Sequence, residues 1–141
     1  MEVEINYWAI LLAGLSSMVV GAVWYLPGVF GKAWAKMARV DVKKKMSAGQ
    51  SALLFGSTFV ASLVTAYVLS YVTYLSHYFV SGSYFHNALW TAFWLWLGFT
   101  AARFLVHDAF EGRHMKLTLL NVSHELVTIM VMGLIIGLMG M

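Results

Sequence analysis

The sequence predicts an all-α, polytopic integral membrane protein: a four-transmembrane-helix bundle with one interfacial amphipathic helix. Three observations carry that reading. Hydrophobic residues make up 61% of the chain and charged ones only 11%, against roughly 25% charged in an ordinary soluble domain. Apolar runs close to the ~20 residues that a spanning helix needs recur along the chain. Six of the nine Lys and Arg residues fall in one loop, the asymmetry that orients helices in a membrane. Four spans with their loops use nearly all 141 residues, so 1–141 reads as a single transmembrane domain with nothing left for a soluble one.

The first span covers about residues 7–26 and closes on Trp24-Tyr25-Leu26-Pro27-Gly28, an aromatic belt followed by a helix breaker. No Lys or Arg precedes it, so it lacks the basic leading region of a cleavable signal peptide and is expected to stay as an anchor. Ala9, Ala13, Ser17 and Gly21 recur every fourth residue, a stripe that lets helices approach closely, within one chain or between two copies. Residues 30–45 change character. Lys32, Lys36, Arg39 and Lys43 follow helical spacing while Phe30, Trp34 and Met37 mark another face, as in an interfacial helix whose cations rest on anionic lipid headgroups. Ser47 with Gln50 forms a capping box opening the next helix.

The second span covers about 51–74, with Thr58, Ser62 and Thr65 as a mild polar stripe whose hydroxyls can bond their own backbone. A short loop around His77 leads to the third span, about 85–106, the most aromatic, with Trp90, Phe93, Trp94, Trp96 and Phe99. His77 and His86 read as interfacial. After a turn at Glu111-Gly112-Arg113-His114, the fourth span covers about 117–141 and holds Gly133 and Gly137 in a GxxxG pair. Besides the six cations after span one, two follow span three and none lies at the N-terminus, middle loop or C-terminus, which places both termini outside.

Composition also excludes chemistry. The absence of Cys removes thiolate nucleophiles, disulfide relays and Cys-based metal sites. Topology accounts for the net charge of +3, so no nucleic-acid partner is inferred.

Charged groups inside hydrocarbon cost about 2.5–3.5 kcal/mol each and need partners or a watery cavity. Span three carries Thr100, Arg103 and His107 on one face with Asp108 beside it; span four carries Asn121, His124, Glu125 and Thr128 on or near one face. Reflecting the antiparallel pair about residues 113 and 114 puts Arg103 opposite His124 and next to Glu125, predicting an Arg103–Glu125 pair roughly 12 Å inside the loop end. That constellation is either a structural lock or an ion, proton or small-solute site made by Arg103, His107, Asn121, His124 and Glu125. No metal site is expected, because dense ligand spacing is lacking and His107 and His124 differ in depth by ~8 Å of helix. A hydrolase is not indicated: Ser123 and His124 are neighbours on a helix and point about 100° apart.

Asn6, Gly21, Trp24-Tyr25, Pro27, Phe30-Gly31-Lys32 and Trp34 at one end, with Phe110-Glu111-Gly112-Arg113, Leu117, Asn121 and His124 at the other, resemble the bacterial membrane family filed as domain of unknown function 1761. Trp96-Leu97-Gly98-Phe99 and Gly133 are similar to that family's pattern too. The resemblance implies the fold and a bacterial inner membrane location, and no activity. The functional expectation is a homo-oligomeric transporter or channel-like protein. The alternatives are a non-catalytic assembly subunit, with Ala13, Ser17, Gly21, Gly133 and Gly137 as packing surfaces, or a membrane-embedded enzyme or metal or haem binder. The residues name no cofactor.

Overall fold

The computed structural model describes residues 3–41 and 43–140. Met1, Glu2, Val42 and Met141 lie outside the described residues, and with them the first two residues of the leading segment and the expected last residue of the fourth span. Among the described residues, four helices are long and apolar enough to cross a membrane: Tyr7–Trp24, Ala48–Phe79, Tyr84–Phe110 and Met115–Met139.

Helix α1 (Tyr7–Trp24) begins where the Asn6 side chain accepts the Ala9 amide at 3.1 Å; Asn6 Nδ2 also donates to the Met139 carbonyl at 3.4 Å. The start of the chain is thereby tied to its far end, and the two termini share one side of the bundle. Ala9 and Ala13 are fully buried and Ser17 nearly so. The small-residue stripe therefore faces inward, with a Cβ on neighbouring Gly14 set to meet the Leu63 side chain at 2.7 Å.

Helix α2 (Gly31–Ala38) is shorter than the expected 30–45. Arg39 closes it in the left-handed region at φ 56°, and Asp41 then accepts the Lys43 amide in a local turn. Lys32 and Lys36 remain exposed on the helix, whereas Lys43 lies off it. Three consecutive lysines, 43–45, have no acid among them to support a continued helix.

Helix α3 (Ala48–Phe79) opens with both bonds of the capping box between Ser47 and Gln50. It runs past the expected 51–74 because Ser76 and His77 do not break it: Asn87 Nδ2 reaches across to His77 Nδ1 at 3.0 Å and to the Val80 carbonyl at 3.3 Å. Thr58, Ser62 and Thr65 donate to carbonyls four residues back, which disposes of their polarity locally.

The third span is interrupted. Helix α4 (Tyr84–Leu95) passes through a π turn, Trp96–Ala101, into α5 (Ala102–Phe110). Trp96 Nε1 donates to the Val122 carbonyl at 2.9 Å and pins this turn to the last helix, α6 (Met115–Met139). Gly133 and Gly137 bring α6 against α4: added Cβ atoms would lie 3.0 Å from Ala92 Cβ and 2.9 Å from Phe85 Cα. Ala9, Ala13, Leu69, Ala92, Met132 and Ile136 form the core where the spans meet. Small residues do the packing here, as in membrane bundles generally, where close approach replaces hydrophobic drive.

Candidate functional site

At the end of α1 the chain reverses within six residues. Phe30 donates to the Trp24 carbonyl at 3.1 Å and Gly31 to the Leu26 carbonyl at 3.0 Å. Gly31 is required by that closeness, since any Cβ there would collide with the Tyr25 carbonyl oxygen. The tight corner sets two rings against one imidazole and two more behind them. Trp24 meets Phe30 at 4.5 Å and Tyr25 meets Trp34 at 5.0 Å between centroids, while Trp24 and Tyr25 approach the His124 ring at 5.7 and 5.2 Å. Gly21 faces the ring: a Cβ there would lie 3.7 Å from His124 Nε2, an ordinary contact distance.

Only 13% of the His124 side chain is exposed. Its Nδ1 lies 3.3 Å from Glu125 Oε1, whereas its Nε2 and the Trp24 Nε1 are buried without a hydrogen-bond partner. Unsatisfied buried polar atoms are uncommon because each costs roughly 1–3 kcal/mol. Tyr25 lies just beyond α1; burial, and secondarily the Glu125 charge, raises its phenol pKa above the ordinary value and keeps it protonated. In the tautomer that donates Nδ1–H to the carboxylate, Nε2 carries a lone pair beside the edge of the indole. An imidazole so placed can accept a proton at one nitrogen and release one from the other.

The residues gathered here, Gly21, Trp24, Tyr25, Phe30, Gly31, Trp34 and His124, are among those that carry the sequence resemblance. The pattern described as "Protein of unknown function (DUF1761)" matches residues 8–137, almost the entire chain. The chain belongs to that family. No curated protein and no solved structure matches it.

In this DUF1761 protein the expected Arg103–Glu125 pair does not form. Arg103 is exposed and, among the described residues, has no hydrogen bond or ion pair. The π turn explains the difference. An unbroken helix would carry the inward face of Ala88 and Ala92 on toward Phe99, Arg103 and Val106. The wider turn changes the rotational phase of the downstream helix. Ala101 and Asp108 are buried instead, while Phe99 and Val106 face out. His107 is exposed on the same side as Arg103, and Asn121 is half-buried with no hydrogen bond to His124 or Glu125. Of the five candidate residues, the structure brings together His124 and Glu125.

Sequence reasoning undervalued Asp108. Its carboxylate is 5% exposed, accepts the Thr118 hydroxyl at 2.6 Å and lies 3.7 Å from Arg113 Nε. It also missed four buried uncharged polar residues, Ser70 and Thr73 on α3 and Asn87 and Thr91 on α4. The spacings of Ser70, Thr73 and His77 on one helix and Asn87 and Thr91 on the other were the available signal. Among the described residues, no three His, Asp or Glu side chains come close enough to hold a metal ion.

Proposed function

We propose that this DUF1761 protein is a proton-exchanging membrane carrier in which His124 and Glu125 handle the proton, acting as an assembly of more than one copy with both termini outside. The observation behind this reading is the His124–Glu125 contact, with His124 Nε2 left bare under an aromatic corner and Glu125 43% exposed near the middle of α6. A carboxylate on the outside of a bundle at that depth is costly as an anion against lipid. A bound proton or a polar group from a second copy removes that cost, and either suits a residue that must change protonation state. The orientation rests on the basic α1–α3 connection, whose exposed Lys32, Lys36 and Arg39 suit an anionic inner leaflet. The assembly-subunit alternative is weakened because Ala13, Ser17, Gly133 and Gly137 are already used for packing within the chain.

The test is proton flux into liposomes containing purified protein and a trapped pH dye, driven by a potassium diffusion potential. The wild-type chain should exceed empty liposomes, and Glu125→Gln and His124→Phe, both folded by circular dichroism, should lose about tenfold or more, the range of a removed proton-transfer group. Unchanged flux in Glu125→Gln, or no flux in the wild type, sinks the proposal.

A further inference from the structure

The outward rotation of α5 leaves a groove on the lipid-facing side. Its upper limb, about 330 Å³, is lined by Phe99, Thr100, Arg103, Phe104 and His107, with Asp108, Glu111 and Arg113 at its rim. A second limb of about 380 Å³ runs between α3 and the π turn along Val64, Val68, Leu95 and Ile129. The limbs adjoin at Phe99 and Thr100, which line both. The groove stays open because α3 packs on α1 and α4, while α5 packs on the π turn and α6.

The two ends differ in chemistry. At the upper end Arg103 and His107 are exposed, and the nearby carboxylates are already engaged: Glu111 with Arg113 at 2.6 Å, and Asp108 with Thr118 and Arg113. Among the described residues Arg103 makes no ion pair of its own, so its guanidinium is open to an outside partner. At the lower end the lining is aliphatic, and the Thr65 hydroxyl is turned to the Ala61 carbonyl. Arg103 lies seven residues before Phe110, about 10 Å of helix below the α5–α6 turn, within the reach of a side chain that extends toward the headgroups. A guanidinium offers paired N–H donors that match phosphate oxygens.

We infer that this trough holds an anionic phospholipid of the leaflet that faces the α5–α6 turn. Its phosphate sits on Arg103 beside His107, and one acyl chain lies along Val64, Val68, Leu95 and Ile129. The assignment is independent of the proton chemistry proposed for His124 and Glu125.

Native mass spectrometry of protein equilibrated with equal amounts of phosphatidylglycerol and phosphatidylcholine of the same chain length tests it. The wild type should retain one phosphatidylglycerol in preference by about tenfold, the scale of a charge-assisted phosphate contact. Arg103→Gln should bring the two lipids to parity, Val68→Trp should lose both, and Val19→Trp, at an exposed position on α1, should change neither. Equal retention by the wild type, a surviving preference in Arg103→Gln, or unaltered retention in Val68→Trp overturns the assignment. So does displacement of the lipid by millimolar inorganic phosphate, which would leave the acyl limb without a role. A change in copy number caused by Val68→Trp without loss of lipid would assign the trough to a second chain instead.

Discussion

Removing the Asp108 carboxylate should unlock the α5–α6 hairpin, and the size of the effect follows from its surroundings. The group is almost fully buried, accepts the Thr118 hydroxyl at 2.6 Å and faces Arg113 at 3.7 Å. Hydrogen bonds to a charged partner contribute about 1.5–3 kcal/mol in water-soluble proteins, and interhelical ones in membranes average only about 0.6. Arg113 is 48% exposed, which limits its share to about 1 kcal/mol or less. A double-mutant cycle of Asp108→Ala with Thr118→Val should therefore give a coupling of about 1–2 kcal/mol. Asp108→Asn, which keeps the shape and one acceptor, should cost less than Asp108→Ala. The assay is reversible unfolding in mixed micelles of increasing denaturing-detergent fraction, followed by circular dichroism. A parallel cycle of Arg103→Met with Glu125→Gln should show no coupling, because those side chains do not meet. Coupling below about 0.3 kcal/mol in the first cycle, within ordinary additivity, would refute the reasoning. So would sizeable coupling in the second, which would restore the pairing that the π turn forbids.

Two further outcomes concern glycines. Gly31→Ala should force the α1–α2 corner open at a cost of about 1–3 kcal/mol, because its Cβ meets a carbonyl oxygen that cannot yield; His124 should then become reactive to diethylpyrocarbonate in peptide-resolved mass spectrometry, and continued protection would count against the corner as its cover. Gly137→Val should separate α6 from α4, where Phe85 Cα and Ala88 Cβ lie 2.9 and 3.1 Å from the added atom; a loss of about 1–3 kcal/mol in the same unfolding assay is expected, and wild-type stability would argue that the helices are not so closely packed.

The spans, the capping box and the depth relation between the last two spans were legible in the sequence. Asp108 bonds Thr118, a pairing centred on residue 113, close to the reflection used to align those helices. What periodicity could not supply was azimuth. The rule of 100° per residue assumes an unbroken helix, and nothing in Trp96-Leu97-Gly98-Phe99 announces a π turn pinned by an indole bond to Val122. That change of phase moved Arg103 from the expected interior to the exposed face. The buried Ser70, Thr73, Asn87 and Thr91 escaped notice for another reason. Uncharged hydroxyls and amides are ordinary in apolar helices, and only burial in the fold separates these four from Thr58, Ser62 and Thr65, which bond locally. The corner over His124 was visible as separate motifs, yet only the fold shows that they converge.

Helix α1 has 18 residues and α3 has 32, lengths of about 27 and 48 Å. A hydrocarbon layer of about 30 Å cannot match both. Helix α3 must tilt or project past the acyl region, while α1 ends within about two residues of the layer's thickness. Because α1 stops only three residues after Gly21, which lies against His124, the end of the first span falls beside the imidazole. A residue that is deep by its place on α6 is therefore level with the end of a neighbouring span, on the side where α2 leaves the bundle.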